Sequence, residues 1–163
     1  MKKFIYLLLI LPTLIFTSCS NDDDLPQVSF DVAFSGATNV DGTFYVVADS
    51  TFSIDAITVT PVDGTKEAAI GAVTYFWDYM AFGGNLTPPF GVSINTGDVG
   101  PGNHVLQFEA SILQVGKSIA VAYFTYPIKI VASETEIPSG DKVSRGSVPA
   151  NPTIRSGTGA HFD

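Results

Sequence analysis

Val73-Thr74-Tyr75-Phe76-Trp77-Asp78 sets Val73, Tyr75 and Trp77 at alternate positions. A period of two sends successive side chains to opposite faces, so this stretch is a strand with one strongly apolar face. The same period recurs upstream, where Val28, Phe30, Val32 and Phe34 line one face of a half-buried strand. Asn39-Val40-Asp41-Gly42 is a turn signal, Thr43 to Ala48 a short strand, and Asp49-Ser50 a break. Between Thr51 and Val62, Phe52, Ile54 and Ala56 share one parity and Ile57 and Val59 the other. Such a switch marks a β-bulge or a change of partner sheet. Asp63-Gly64-Thr65 is a turn, and Glu67 to Ile70 has room for one helical turn before Gly71.

Downstream, residues 79–89 read as a loop containing Gly83-Gly84 and Pro88-Pro89, after which Phe90, Val92 and Ile94 alternate. A Gly- and Pro-rich connection leads to His104 through Leu113, with Leu106, Phe108, Ala110 and Ile112 inward. Val115-Gly116 is a hairpin turn, and Ser118 to Val131 is apolar on both faces. Pro127 cannot donate to a ladder, so it marks an edge position or a bulge. Seven strands with no convincing helix predict an all-β sandwich over residues 28–132. Residues 133–163 are rich in Ser, Gly, Pro and Thr without apolar periodicity, and are expected to form a flexible, disordered tail.

Two lysines, Lys2 and Lys3, precede an apolar run from Phe4 to Phe16. That run is shorter than the roughly 20 residues of a membrane-spanning helix, and has the layout of a secretory signal. Phe16-Thr17-Ser18-Cys19 resembles the lipobox of bacterial lipoproteins, with Phe16 where that pattern prefers Leu. The resemblance implies cleavage after residue 18, a thioether-linked diacylglycerol on Cys19, and acylation of the new amine. Cys19 is the one cysteine of the chain, which rules out an internal disulfide. Ser20 resembles outer-membrane sorting, and Asp22-Asp23-Asp24 resembles the export tag of surface lipoproteins in the Bacteroidota. The expected organisation is thus a signal at 1–18, an acidic tether at 19–27, a domain at 28–132 and a tail at 133–163.

Cleavage would remove two of eight basic residues and none of the 16 acidic ones, taking the net charge from −8 to −10. Nucleic-acid binding requires basic patches, so that partner is excluded. An acidic body also disfavours docking on anionic lipid, which leaves the Cys19 anchor as the expected membrane link. The bare aspartate run lacks the spaced ligands and turn glycine of a calcium loop, and no metal or cofactor is expected.

Val73 to Asp78, then Pro88-Pro89-Phe90, then Gly100-Pro101-Gly102-Asn103-His104-Val105-Leu106 resembles the second half of bacterial Ig-like domains. In that family an aromatic–Asp strand precedes a Pro-Phe lead-in, and a Gly-x-His-x-Leu strand precedes the last hairpin. The resemblance extends over about residues 70–131 and loosely over 28–69. It implies an Ig-like β-sandwich and is silent on function, since such domains occur in adhesins, in spacer arrays and beside glycan-degrading enzymes.

Tyr79, Met80, Phe82 and Phe90 cluster around the 79–90 loop, either as a ligand-binding surface or as a cap over the sandwich end. Trp77 is either a sugar-stacking platform or, as expected here, a core tryptophan. His104 is expected to make a hydrogen bond at the start of its strand. No nucleophile elbow is present, and Asp78 and Glu109 would have to flank a cleft to act as a glycosidase pair, so no catalytic residues are assigned. Asp49-Ser50-Thr51 resembles the O-glycosylation sequon of the Bacteroidota, with Ser50 as acceptor. The expected function is that of a non-enzymatic, outer-membrane-anchored surface lipoprotein, a binding or adhesion module for a protein or glycan ligand. The alternatives are a carbohydrate-binding accessory of a glycan-uptake system and an assembly subunit using strand addition.

Overall fold

The computed structural model describes residues 25–62, 66–143, 146–150 and 152–157. Twelve strands occur among them: β1 (Val28–Ser35), β2 (Ala37–Val40), β3 (Thr43–Val47), β4 (Thr51–Pro61), β5 (Ala68–Trp77), β6 (Met80–Asn85), β7 (Val92–Asn95), β8 (Gly102–Gln114), β9 (Ala120–Val131), β10 (Asp141–Val143), β11 (Gly146–Ala150) and β12 (Thr153–Ser156). One sheet runs β11-β1-β4-β7, and the other runs β10-β2-β3-β9-β8-β5-β6 with β12 also on β9. The first strand pairs with β4 in the small sheet, while β3 crosses to the large sheet and lies parallel to β9. This is an all-β, Ig-like sandwich.

The alternating residues form its core. Phe30, Val32 and Phe34 of β1 face Leu106, Phe108 and Ala110 of β8, all within the buried cluster. Phe108 stacks on Phe124 at 4.2 Å, and Phe30 meets Phe124 edge-on at 5.1 Å. Each fully buried aromatic or aliphatic side chain here contributes about 1.5–3 kcal/mol of transfer free energy. The parity switch in β4 is a bulge: Ala33 pairs with Ala56 but Phe34 with Ile54, so Asp55 is the extra residue. Ser35 Oγ donates to the Asp55 carboxylate at 2.8 Å and holds the bulge.

Pro127 sits where β9 changes neighbours. Residues 120–123 pair with β12 and 128–131 with β3, so the proline lies in the gap between them on that side. Glu67 to Ile70 forms no helical turn. Ala68, Ala69 and Ile70 pair with Gln114, Leu113 and Ile112, because the 13-residue β8 extends far enough to template them. Residues 80–85, expected as loop, are strand β6, templated in the same way by the free edge of β5.

The C-terminal segment differs most from its composition. Three short strands occupy 141–156 where a disordered tail is expected, and they pair with β2, β1 and β9. Strand addition uses backbone N–H and C=O groups, so a Ser- and Pro-rich segment without apolar period can still fill an open edge. Residues 1–24, which include Cys19 and on which the expected signal and most of the expected tether fall, lie outside the described residues.

The sandwich has two distinct ends. Gln27 N–H donates to Gln114 Oε1, and Val62 N–H donates to Gln27 O, so the incoming chain meets the end of β4 and the end of β8. β5 starts at that end, opposite Gln114, and finishes at Trp77, opposite Leu106. The turn after Trp77 is therefore at the other end.

Candidate ligand-binding edge

Asp78 and Tyr79 alone separate β5 from β6. Their φ values are 47° and 68°, the two left-handed positions of a type I′ hairpin turn. Asp suits such a site. A tyrosine there holds a conformation that costs an L-residue roughly 1–2 kcal/mol.

Three contacts secure the turn through Asp78. Its N–H donates to Val105 O at 2.9 Å, its Oδ1 accepts Val105 N–H at 2.9 Å, and its Oδ2 lies 2.7 Å from His104 Nδ1. The His104 ring stacks on Trp77 with centroids 5.4 Å apart, and its Nε2 lies 3.2 Å from Gly100 O. Burial alone would raise the Asp78 pKa. The hydrogen bonds from His104 and Val105, with the charge of His104, outweigh it and hold the carboxyl below its ordinary 3.8. Trp77 packs against the core. His104, Trp77 and Asp78 thus form one brace that positions the turn. Glu109 pairs with Thr74, four residues along β8 from Val105 and roughly 13 Å away, so Asp78 and Glu109 are not brought together.

The braced turn presents its neighbours to solvent. Tyr79 is 72% exposed, Met80 73% and Phe82 43%. Leu86 joins them at 78%; nothing in its loop context distinguishes it in the sequence. Phe90, expected in the same cluster, is 4% exposed and belongs to the core. Its backbone turns there with φ 59°, and the next residue, Gly91, lies against β4 so closely that a Cβ would stand 3.1 Å from Ile54 O and Asp55 O. That approach carries Phe90 inward. The Tyr75 hydroxyl donates to Phe90 O, and burial raises the Tyr75 pKa to about 12 against the opposing effect of a hydrogen bond with Asn85.

β6 is the terminal strand of the large sheet in the described residues, paired with β5 on one side. Natural edge strands are guarded by charge, proline or cover. Met80-Ala81-Phe82-Gly83-Gly84-Asn85 has no charged residue and no proline. Its register with β5 slips at Phe82, the extra residue between the Tyr75–Gly83 and Phe76–Ala81 pairs, so the edge is uncharged but bulged, and four exposed apolar side chains flank it.

The remaining expected site residues lie elsewhere. Ser50 is half-buried in the turn before β4; its Oγ donates to Val47 O at 2.5 Å, and its N–H donates to Thr96 Oγ1 at 3.0 Å. It lines a hollow of about 640 Å³ with Tyr45, Glu134 and Ile137. Cys19 is outside the described residues.

No family model and no curated protein matches the chain. Among solved structures, the chain is similar to the fibronectin(III)-like modules of Clostridium thermocellum CbhA, with a TM-score of 0.38 and 12% identity over 71% of this chain. The match spans about half of that chain, 51%. The functional reading therefore rests on this chain's own geometry.

Proposed function

We propose that this chain is a non-enzymatic binding module, anchored to the bacterial outer membrane through lipid on Cys19, that captures an extended polypeptide along the β6 edge. One observation carries the reading: an uncharged strand edge, free among the described residues, lies beside exposed Tyr79, Met80, Phe82 and Leu86. Strand addition draws affinity from main-chain hydrogen bonds and specificity from neighbouring side chains, and both are available here. The engagement of both His104 ring nitrogens, with the ring stacked on Trp77, supports a bracing role and not a catalytic one.

Panning a library of displayed peptides against residues 20–163 tests this. The expected outcome is selection of extended segments whose binding is lost in Phe82→Lys, which places a charge on the edge, while the unfolding midpoint is retained. Unchanged binding in that variant contradicts the reading. A glycan is the second reading, supported by the exposed face of Tyr79. A glycan array with the same protein that yields sugar ligands, alongside a failed panning, would favour it. The anchor is tested separately: clickable fatty-acid labelling in cells is expected and should vanish in Cys19→Ala. Unlabelled protein released to the medium contradicts anchoring.

A further inference from the structure

The end of the sandwich where the chain enters has its own exposed apolar set. Val62, Leu113, Val115 and Ile119 are four of the nine large apolar side chains exposed among the described residues. Leu113, Val115 and Ile119 share a hollow of about 380 Å³ with Glu67, Gln114 and Lys117. Val62 adjoins them through Gln27, which bonds to both Val62 and Gln114. Lys66 is exposed beside Gly116. Two bases, Lys66 and Lys117, and one acid, Glu67, border the apolar set.

Cys19 precedes Gln27 by eight residues, a reach of at most about 28 Å when fully extended. An anchored Cys19 keeps this end, and not the Tyr79 turn, within that distance of the bilayer. We propose that this end docks on the lipid surface, with Val62, Leu113, Val115 and Ile119 entering the headgroup layer. The inference rests on the reading of Cys19 as the membrane anchor. Apolar insertion in the interface needs no charge attraction, and the acidic run Asp22-Asp23-Asp24 makes a zwitterionic surface the better fit.

Cys19 supplies the test. Residues 19–163 are coupled through this thiol to a maleimide-headgroup lipid in phosphatidylcholine vesicles, and amide hydrogen exchange is compared with the same protein capped by a soluble maleimide. Amides around Val62 and at 113–119 are expected to exchange several-fold more slowly on the vesicle, those at 78–80, Gly100, Gly102 and Asn103 at unchanged rates. The double variant Val115→Asp, Ile119→Asp should return the slowed amides to the free rate. Equal exchange with and without vesicles overturns lipid docking and leaves the apolar end to a protein partner. Slowing at both ends, or slowing that survives the double variant, overturns it as crowding by the tether. The chemical coupling works whether or not cells acylate Cys19, so failure here is distinct from failure of the fatty-acid labelling.

Discussion

Tyr79 is where stability and binding pull in different directions. At φ 68° its side chain adds strain that glycine would not feel. Tyr79→Gly is therefore expected to leave the urea midpoint unchanged or to raise stability by up to about 1 kcal/mol, while weakening ligand capture. A destabilised variant would mean that Tyr79 is held by packing and not by function. Asp78 adds a pH dependence with a defined sign. Its folded pKa lies below the ordinary 3.8, so its contribution is fully present above that value and is lost as pH falls through the folded value. The side chain is 45% exposed, and solvent screening keeps the effect small. Denaturation midpoints of wild type and Asp78→Asn should differ by a constant amount at neutral pH and converge below 3.8. A gap independent of pH would show that the carboxylate charge does not matter to the brace.

Strands with a clean period were legible, and strands made by templating were not. Val28 to Phe34, Val73 to Trp77 and His104 to Leu113 announce themselves by alternation, and their inward sets are buried apart from Val28 and Trp77, which are partly buried against the core. The β4 parity switch announced its bulge. β6, β10, β11 and β12 lack alternation because their neighbours' backbones hold them, and that information is absent from the local sequence. The candidate surface was half legible for the same reason. Tyr79, Met80 and Phe82 stood out as a cluster, but Phe90 could not be told apart from them without the close approach of Gly91 to β4. The C-terminal strands have a testable consequence. β11 makes five cross-strand pairs with β1, at about 0.2–1 kcal/mol per pair. A chain ending at residue 140 should stay folded, lose a few kcal/mol at most, and self-associate through the uncovered β1 edge. Unchanged stability and a monomeric state would show that the tail strands do not hold β1.

The whole molecule has a direction. The chain enters at the end carrying Val62, Val115 and Ile119, and the braced turn with Tyr79 stands at the other end, a β8 length of roughly 40 Å away. An anchored protein of this shape would face its β6 turn outward. The two ends share one core: Phe108 stacks on Phe124 and packs near Tyr75. Phe108→Ala should cost about 3–5 kcal/mol, seen as a large drop in melting temperature, and a loss below 1 kcal/mol would contradict the packing. The most direct test of the binding edge is photo-crosslinking in cells with a benzophenone amino acid at position 82, compared with one at Thr58 on the far strand β4. The account predicts a discrete polypeptide adduct at position 82, abolished by Ala81→Pro, and none at position 58. Equal labelling at the two positions, or none at position 82, would contradict it.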